Sequence, residues 1–256
     1  MILGTVGALA LVGGPASVGA HPQPSPDRNN RYLKLTPLAD RVRLAYTVYL
    51  GDTPGAHARR RLDRDGDGTI TDAEAAALGR EIAGMVTPAV DLAVDDRPVT
   101  IDWQPPDVGL GTPAVNAGAM SVDLVGWVCT GGGARHRLAL HDQVRLDAPG
   151  ESEVRLEDGP GIAFPDGEQR LGGEPMRDLI VTWRGDEARL GRGLEVAYTV
   201  DAATAIELTD RRCAGGAAEP GGARKGRPLV YAIAAVGGVA LAGLALWLTR
   251  RRTPRA

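Results

Sequence analysis

The chain has 256 residues and a formal net charge of −3, with 32 acidic and 29 basic side chains. Seven of the basic residues follow position 223, where there is no acidic residue, so residues 1–223 are distinctly acidic. This distribution argues against nucleic-acid binding, which requires Lys and Arg clustered on the folded domain.

The first 20 residues have the character of a signal peptide. MILGTVGALALVGG is apolar, and Val18-Gly19-Ala20 offers the small residues of a cleavage site. The pattern predicts an exported chain that begins at His21. Because no basic residue precedes the apolar run, a short membrane anchor is the alternative.

Residues 21–207 are predicted to form an extracytoplasmic, mostly β domain. Apolar residues alternate with other residues over positions 41–50 and 194–200, which is typical of strands with one buried face. Residues 91–103 read as a hairpin that turns at Asp95-Asp96. Eight or nine short strands at this spacing indicate an antiparallel, sandwich-like fold, and Trp103, Trp127 and Trp183 fall on strand-like segments.

Residues 53–85 break this pattern and predict a helix, a twelve-residue loop and a second helix. Thr53-Pro54 is a typical helix start, because proline at the first helical position loses no intrahelical hydrogen bond. Thr71 and Glu74 have the spacing of a capping box. The apolar face of the second helix consists of Leu78, Ile82 and Met85.

The loop, DRDGDGTITDAE, concentrates oxygen ligands suited to a hard cation such as Ca²⁺. Closely spaced carboxylates repel one another unless a cation lies between them. We expect six metal ligands here, with Thr69 acting through its backbone carbonyl. They are Asp63, Asp65, Asp67, Thr69, Thr71 and Glu74.

The same residues resemble an EF-hand. Carboxylates stand at loop positions 1, 3, 5 and 12, Gly68 stands at the sharp turn, and the apolar Ile70 stands at position 8. The resemblance implies a Ca²⁺ site between two helices. No second loop of this spacing occurs, so the loop is either solitary or pairs across a dimer. Outside the cell, where Ca²⁺ is plentiful, such a site has a structural role.

A second resemblance covers roughly residues 21–103. The His-Pro start, the strand pair in RYLKLTPLADRVRLAYTVYL, the acidic loop and VDLAVDDRPVTI are similar to the extracytoplasmic region of bacterial nickel/cobalt permeases. This likeness implies an accessory or stand-alone version of that domain. The chain departs from the permeases because it has one predicted membrane span.

The C-terminal region is predicted to anchor the protein. Residues 208–228 form a Gly- and Pro-containing linker, residues 229–248 are long and apolar enough to span a bilayer, and residues 249–256 form a basic cytoplasmic tail. Cys129 and Cys213 either pair or remain free thiols. Cys213 with the span and the Arg cluster also resembles the sorting tails of some bacterial surface proteins, which are processed near the Cys.

The remaining candidates are weaker. Transition-metal binding would need His21 with His57, His136 or His141, and histidines 136 and 141 would face opposite sides of one strand, so we expect surface side chains. No nucleophile motif, phosphate-binding loop or zinc motif appears, which indicates a protein that is not an enzyme.

The sequence thus predicts a single-pass cell-membrane protein with its body outside. It binds Ca²⁺ in a structural or interaction role, with an unidentified protein partner. The alternatives are an accessory protein of nickel/cobalt uptake and an extracytoplasmic enzyme.

Overall fold

The computed structural model describes residues 24–206, together with Leu208 and Cys213. Within these residues, 14 strands form two sheets and two α-helices lie between the second and third strands. The helices are α1 (Asp52–Leu62) and α2 (Asp72–Val86). The strands are β1 (Asn29–Pro37), β2 (Arg41–Leu50), β3 (Val90–Val94), β4 (Arg97–Val99), β5 (Asp102–Trp103), β6 (Asp107–Gly109), β7 (Met120–Cys129), β8 (Arg135–Asp142), β9 (Pro149–Leu156), β10 (Ile162–Ala163), β11 (Arg170–Leu171), β12 (Glu174–Pro175), β13 (Ile180–Arg184) and β14 (Leu194–Val200).

The two sheets pack face to face as a sandwich around one hydrophobic core. The first sheet has the order β13-β9-β1-β2-β7-β5, with β6 also pairing with β7. The second has the order β12-β11-β14-β8-β3-β4, with β10 also pairing with β14. Leu44 of β2, Val122 of β7, Leu140 of β8 and Val196 of β14 are completely buried between them. The prediction of a mostly β body is therefore confirmed.

The strands show why the sequence alternates. In β2 every second side chain from Val42 to Leu50 is buried, because one face of the strand contacts the core. The hairpin between β3 and β4 turns at Asp95 and Asp96, whose φ angles of 50° and 64° give the left-handed turn that the dipeptide predicts. Trp103, Trp127 and Trp183 all lie on strands, as predicted.

Two features differ from the predictions. The sandwich is not wholly antiparallel, because β1 and β9 pair in parallel. A parallel pair needs a long crossover, and here the connection contains both helices and the strands from β2 to β8. The strands also outnumber the predicted eight or nine, since several of them contain only two or three residues and show no alternation.

The first helix begins earlier than predicted. It starts at Asp52, so Pro54 is its third residue and Gly51 is the N-cap. Gly51 lies against the N-terminal segment, where a Cβ would be 2.4 Å from the carbonyl oxygen of Pro26. The Thr53 N–H donates to that same oxygen at 3.1 Å. The start of the helix is thus fixed by a segment that is distant in sequence.

A buried polar group joins the two sheets. Arg31 of β1 donates through Nη1 to Oδ2 of Asp142, at the end of β8, at 2.6 Å. The Tyr46 hydroxyl donates to the same oxygen at 2.9 Å. All three side chains are essentially inaccessible to solvent, so each depends on the others for hydrogen bonds.

The C-terminal end of β7 is covalently linked to the segment that follows β14. Cys129 and Cys213 form a disulfide with 5.4 Å between their Cα atoms, which settles the question of whether they pair. The Ala39 N–H donates to the carbonyl oxygen of Ile206, and Arg41 donates to that of Leu208. The chain therefore leaves the sandwich beside the β1–β2 turn.

Among the described residues, no helix has the length and apolar character needed to cross a bilayer. The predicted signal peptide (1–20), the span (229–248) and the tail (249–256) lie outside the described residues, as does nearly all of the linker (208–228).

Candidate metal centre

The acidic loop, residues 63–74, connects α1 to α2 and extends into the first turn of α2. The second helix starts as the sequence predicts, since the Thr71 Oγ1 accepts the Glu74 N–H at 3.3 Å and the Glu74 carboxylate accepts the Thr71 N–H at 3.0 Å. This capping box satisfies two backbone donors at the helix start. Asp63 is the C-cap of α1, so both ends of the loop are fixed by regular helices.

Three carboxylates converge in the loop. Oxygen atoms of Asp63, Asp65 and Asp67 all lie within 4.8 Å of one another. Asp65 and Asp67 are exposed, whereas Asp63 is partly buried, and its Oδ1 is inaccessible to solvent and has no hydrogen-bond partner among the described residues. An unpaired carboxylate oxygen beside two further carboxylates is a suitable ligand for a hard cation.

The other carboxylate oxygens hold the loop in its curved shape. The N–H groups of Gly68, Asp67 and Thr69 donate to Asp63 Oδ2, Asp65 Oδ1 and Asp67 Oδ1. Gly66 and Gly68 adopt φ angles of 72° and 83°, and nothing lies within 4 Å of a Cβ built on either. The backbone conformation, not lack of space, therefore requires glycine at these two positions.

Glu74 reaches from the second helix back to the start of the loop. Its Oε1 accepts the Arg64 N–H at 2.9 Å, while its Oε2 accepts from the N–H and hydroxyl of Thr71. The Arg64 N–H, followed by the two Thr71 donors, lowers the pKa of Glu74 from its ordinary value. These hydrogen bonds therefore favour the ionised carboxylate, which is the form that binds a cation.

The two threonines occupy different environments. Thr69 forms an isolated antiparallel bridge with Ala114, so its position is fixed through the backbone. The Thr71 hydroxyl is engaged with Glu74 in the capping box. Binding a cation through Thr71 would require that hydroxyl or a water held by it to turn toward the carboxylates.

A second segment, the covering loop (residues 110–119), packs on the acidic loop. The Ile70 N–H donates to the Pro113 carbonyl at 2.8 Å, and the Val115 N–H donates to the Gly68 carbonyl at 3.0 Å. Ile70 itself is 3% exposed. The Ile70 N–H, one of the backbone groups through which paired loops of this type would meet, is thus already bonded within the chain.

Arg59, in the last turn of α1, holds the covering loop in place through hydrogen bonds. This role was not identified from the sequence. It is completely buried, and burial lowers its pKa. Its guanidinium donates to five carbonyl oxygens, those of Leu110, Thr112, Ala114, Gly118 and Ala119. A basic residue among HARRRL carries no local signal that distinguishes it from its neighbours, because its partners lie more than 50 residues away.

The described histidines are widely separated. The Nδ1 atoms of His57, His136 and His141 contact Arg60, Asp95 and the Gly191 carbonyl, respectively. His136 and His141 point to opposite faces of β8, as predicted. His136 is 4% exposed, so the expectation of a surface side chain is wrong for it. Its imidazole contacts Asp95 and the Tyr198 ring, and the centroids of the His136 and Tyr198 rings are 5.4 Å apart.

Asp63, Asp65 and Asp67 form the group of His, Cys, Asp or Glu side chains, among the described residues, that is close enough together to hold a metal. Compared with known proteins, the chain matches no family model and has no significant match among curated sequences.

Proposed function

We propose that the protein binds one Ca²⁺ ion in the acidic loop, which acts as a solitary EF-hand in an extracytoplasmic domain anchored to the cell membrane. The observation that carries the proposal is the convergence of three carboxylates within 4.8 Å, with an unpaired oxygen on Asp63. Glu74, positioned across the loop, supplies a fourth carboxylate. Carboxylate and carbonyl oxygens are the donors that Ca²⁺ prefers.

The role we propose for the ion is structural or adhesive, not catalytic. Neutralising the clustered carboxylates would favour the compact form of the loop and of the covering loop bonded to it. The Ca²⁺ concentrations typical outside cells would keep even a weak site filled. The partner of the domain, if the ion supports adhesion, is a protein outside the cell.

Calorimetric titration of Ca²⁺ into the full-length chain tests the proposal. We expect one ion per chain, and Glu74→Gln should weaken binding at least about tenfold because it removes a charged ligand. Asp72→Asn is the matched control: it also neutralises an acidic residue in the first turn of α2, at a position outside the ligand set. Absence of heat in the wild type, or equal binding by the Glu74 variant, would refute the site.

The alternative role in nickel or cobalt uptake predicts a different result in the same assay. Ni²⁺ or Co²⁺ would then bind in the presence of excess Ca²⁺ and would persist in the Glu74→Gln variant. An extracytoplasmic enzyme is the third proposal, and the described residues give it no specific support.

The membrane topology can be tested separately. Protease added to intact cells should remove residues 21–207 from the surface and leave the tail (249–256) protected. Protection of the whole chain until the cells are lysed would contradict the proposed orientation.

A further inference from the structure

The second sheet is interrupted along one edge of β14. On that edge β10 pairs with positions 199–200 and β11 pairs with positions 194–195, so among the described residues no strand lies beside the positions between them. The Ala197 N–H donates instead to the side-chain oxygen of Gln169, at 3.0 Å. The chain between β10 and β11 leaves the sheet here, and a cavity of about 350 Å³ lies at the interruption.

The walls of this cavity carry charged side chains that the strand register brings to one face. Arg137 of β8 is directly opposite Ala197, and Arg170 of β11 is directly opposite Glu195. Directly opposite residues share a face, as do residues two apart on one strand, so these four side chains all point outward. The charged residues that line the cavity are Arg135, Arg137, Glu168, Arg170 and Glu195.

Two of the arginines flank the cavity from opposite sides. The Cα atoms of Arg137 and Arg170 are roughly 12 Å apart, because two strand spacings and one step of two residues separate them. Ala197 lies between their strands and is 4% exposed, so a small side chain forms the floor. Two long side chains on either side of a small one can both reach a group that rests on the floor.

The backbone and side-chain contacts hold these arginines in place. The Arg137 N–H donates to Asp95 Oδ1 and its carbonyl accepts the Asp95 N–H, both at 2.8 Å. Arg170 donates through Nη2 to the Gly173 carbonyl at 2.9 Å. Because the backbone of Arg137 and one nitrogen of Arg170 are already fixed, less conformational freedom is lost when a ligand binds.

The charges of the lining favour a ligand with a single negative charge. Arg135 forms an ion pair with Glu168, which leaves Arg137 and Arg170 beside Glu195. Three guanidinium groups therefore face two carboxylates, although the body of the protein is acidic. Guanidinium groups bind carboxylates through paired, charge-assisted hydrogen bonds.

We propose that this cavity binds a sugar acid, a small molecule with one carboxylate and several hydroxyl groups. Arg137 and Arg170 donate to the carboxylate, and Glu168 and Glu195 accept from the hydroxyl groups. The volume is near the lower end of the range of about 300–1,000 Å³ for small-molecule sites, which suits one monosaccharide. The described residues that line it include no aromatic side chain, so an aromatic ligand would find no stacking partner.

The test is a titration of the full-length chain with glucuronate at constant ionic strength, followed by saturation-transfer difference NMR. We expect a saturable signal both with Ca²⁺ and with a chelator, because the cavity lies on the second sheet and shares no residue with the acidic loop. Glucose and acetate should each bind at least about tenfold more weakly, since each lacks one of the two sets of charge-assisted or hydroxyl contacts.

Variants of the lining make the test specific. Arg137→Gln and Arg170→Gln should each weaken glucuronate binding about tenfold or more, because each removes a charged donor. Glu195→Gln should strengthen it about twofold or more, since the amide oxygen still accepts from a hydroxyl while a negative charge is lost. Thermal unfolding checks that each variant is folded.

The matched control is Arg155→Gln. Arg155 is also an exposed arginine on a strand, but it lies on β9 of the other sheet. Distant exposed charges are screened, so this variant should bind glucuronate within about twofold of the wild type.

Four results would overturn the proposal. The first is a signal that does not saturate, and the second is binding of acetate or inorganic phosphate as tight as that of glucuronate, which would indicate a general anion site. The third is binding that both the Arg137 and Arg170 variants retain. The fourth is weaker binding by the Glu195 variant.

Discussion

Arg59 illustrates at the level of a single residue how the acidic loop is held in place. Its guanidinium is fully buried and bonds five carbonyl oxygens of the covering loop, with the Nη1–Thr112 distance at 2.7 Å. The same residue accepts the Asp63 N–H through its own carbonyl at 3.1 Å. One arginine therefore connects the first proposed cation ligand to the segment that packs on the loop.

Replacing Arg59 with Met should destabilise the domain by about 2–4 kcal/mol, because it leaves buried carbonyl oxygens without donors. Arg60→Met is the control, since Arg60 is exposed and its guanidinium hydrogen-bonds the exposed His57 ring. We expect the control to lie within about 0.5 kcal/mol of the wild type. Thermal unfolding of the full-length chain measures both. Equal stability of the two variants would show that the Arg59 bonds contribute little.

Several tyrosines should ionise only at high pH. Burial, followed by the charges of Glu151 and Glu153, raises the pKa of Tyr32 to about 12. Burial, followed by Asp142, raises the pKa of Tyr46 well above its ordinary value, and burial raises that of Tyr198.

A raised pKa means that the folded state favours the neutral phenol, so the corresponding stability is present below pH 10 and is lost as the pH rises through the folded value. Ultraviolet titration of the phenolate band should therefore show late ionisation of these three groups, coincident with alkaline unfolding. Tyr46→Phe should remove one late-titrating group. If all tyrosine phenols ionise near pH 10 while the protein stays folded, the result would contradict the burial of Tyr32, Tyr46 and Tyr198.

At the level of elements, the capping box of α2 ties helix formation to the acidic loop. Thr71 and Glu74 bond each other in both directions, and Glu74 also bonds Arg64. A carboxylate serves best as an acceptor when ionised. Since the pKa of Glu74 is lowered from 4.5 in the folded state, its contribution is present above 4.5 and is lost as the pH falls through the folded value.

Thr71→Val should lower the thermal unfolding midpoint by about 2–5 °C at neutral pH without Ca²⁺. The difference from the wild type should shrink in acid as Glu74 is protonated. Thr69→Val is the matched control, because Thr69 contributes through its backbone, and the change should leave the midpoint nearly unaltered. A Thr71 effect that does not vary with pH would separate the cap from the ionisation of Glu74.

Sequence patterns predicted the elements whose signals are local. The alternation of β2, the Asp95-Asp96 hairpin and the Thr71–Glu74 cap each depend on residues within a few positions of one another, and each is present. The parallel pairing of β1 with β9 was not predictable, because it depends on a crossover of more than 100 residues.

The candidate site divides in the same way. The spacing of Asp63, Asp65, Asp67 and Glu74 follows from the sequence, and the structure brings the first three together. The covering loop and Arg59 could not be inferred, because hydrogen bonds between a side chain and distant carbonyl oxygens leave no pattern in the chain. The same holds for His136, whose burial depends on Asp95 and Tyr198.

At the level of the whole molecule, the disulfide closes a large loop. Cys129 and Cys213 are 84 residues apart, and the chain contains no other cysteine. Cross-linking residues this far apart restricts the unfolded chain and typically stabilises a domain by about 2–4 kcal/mol. It also holds the C-terminal segment against the end of β7.

Reduction should therefore lower the thermal stability of the full-length chain, and the Cys129→Ser, Cys213→Ser double variant should show the same loss without reductant. The double variant should not respond to reductant, because it has no disulfide to reduce. Unchanged unfolding after reduction would show that the segment near Cys213 is held by its other contacts.

β7 runs from one end of the sandwich to the other. Its ten residues run from Met120, which follows the covering loop, to Cys129, and at ~3.3 Å per residue they span ~30 Å. Because the proposed membrane span follows Cys213, the lipid surface would lie beyond the end of the sandwich that carries the disulfide. The proposed ion would then sit on the outermost tip of the domain, where molecules arriving from outside the cell would meet it first.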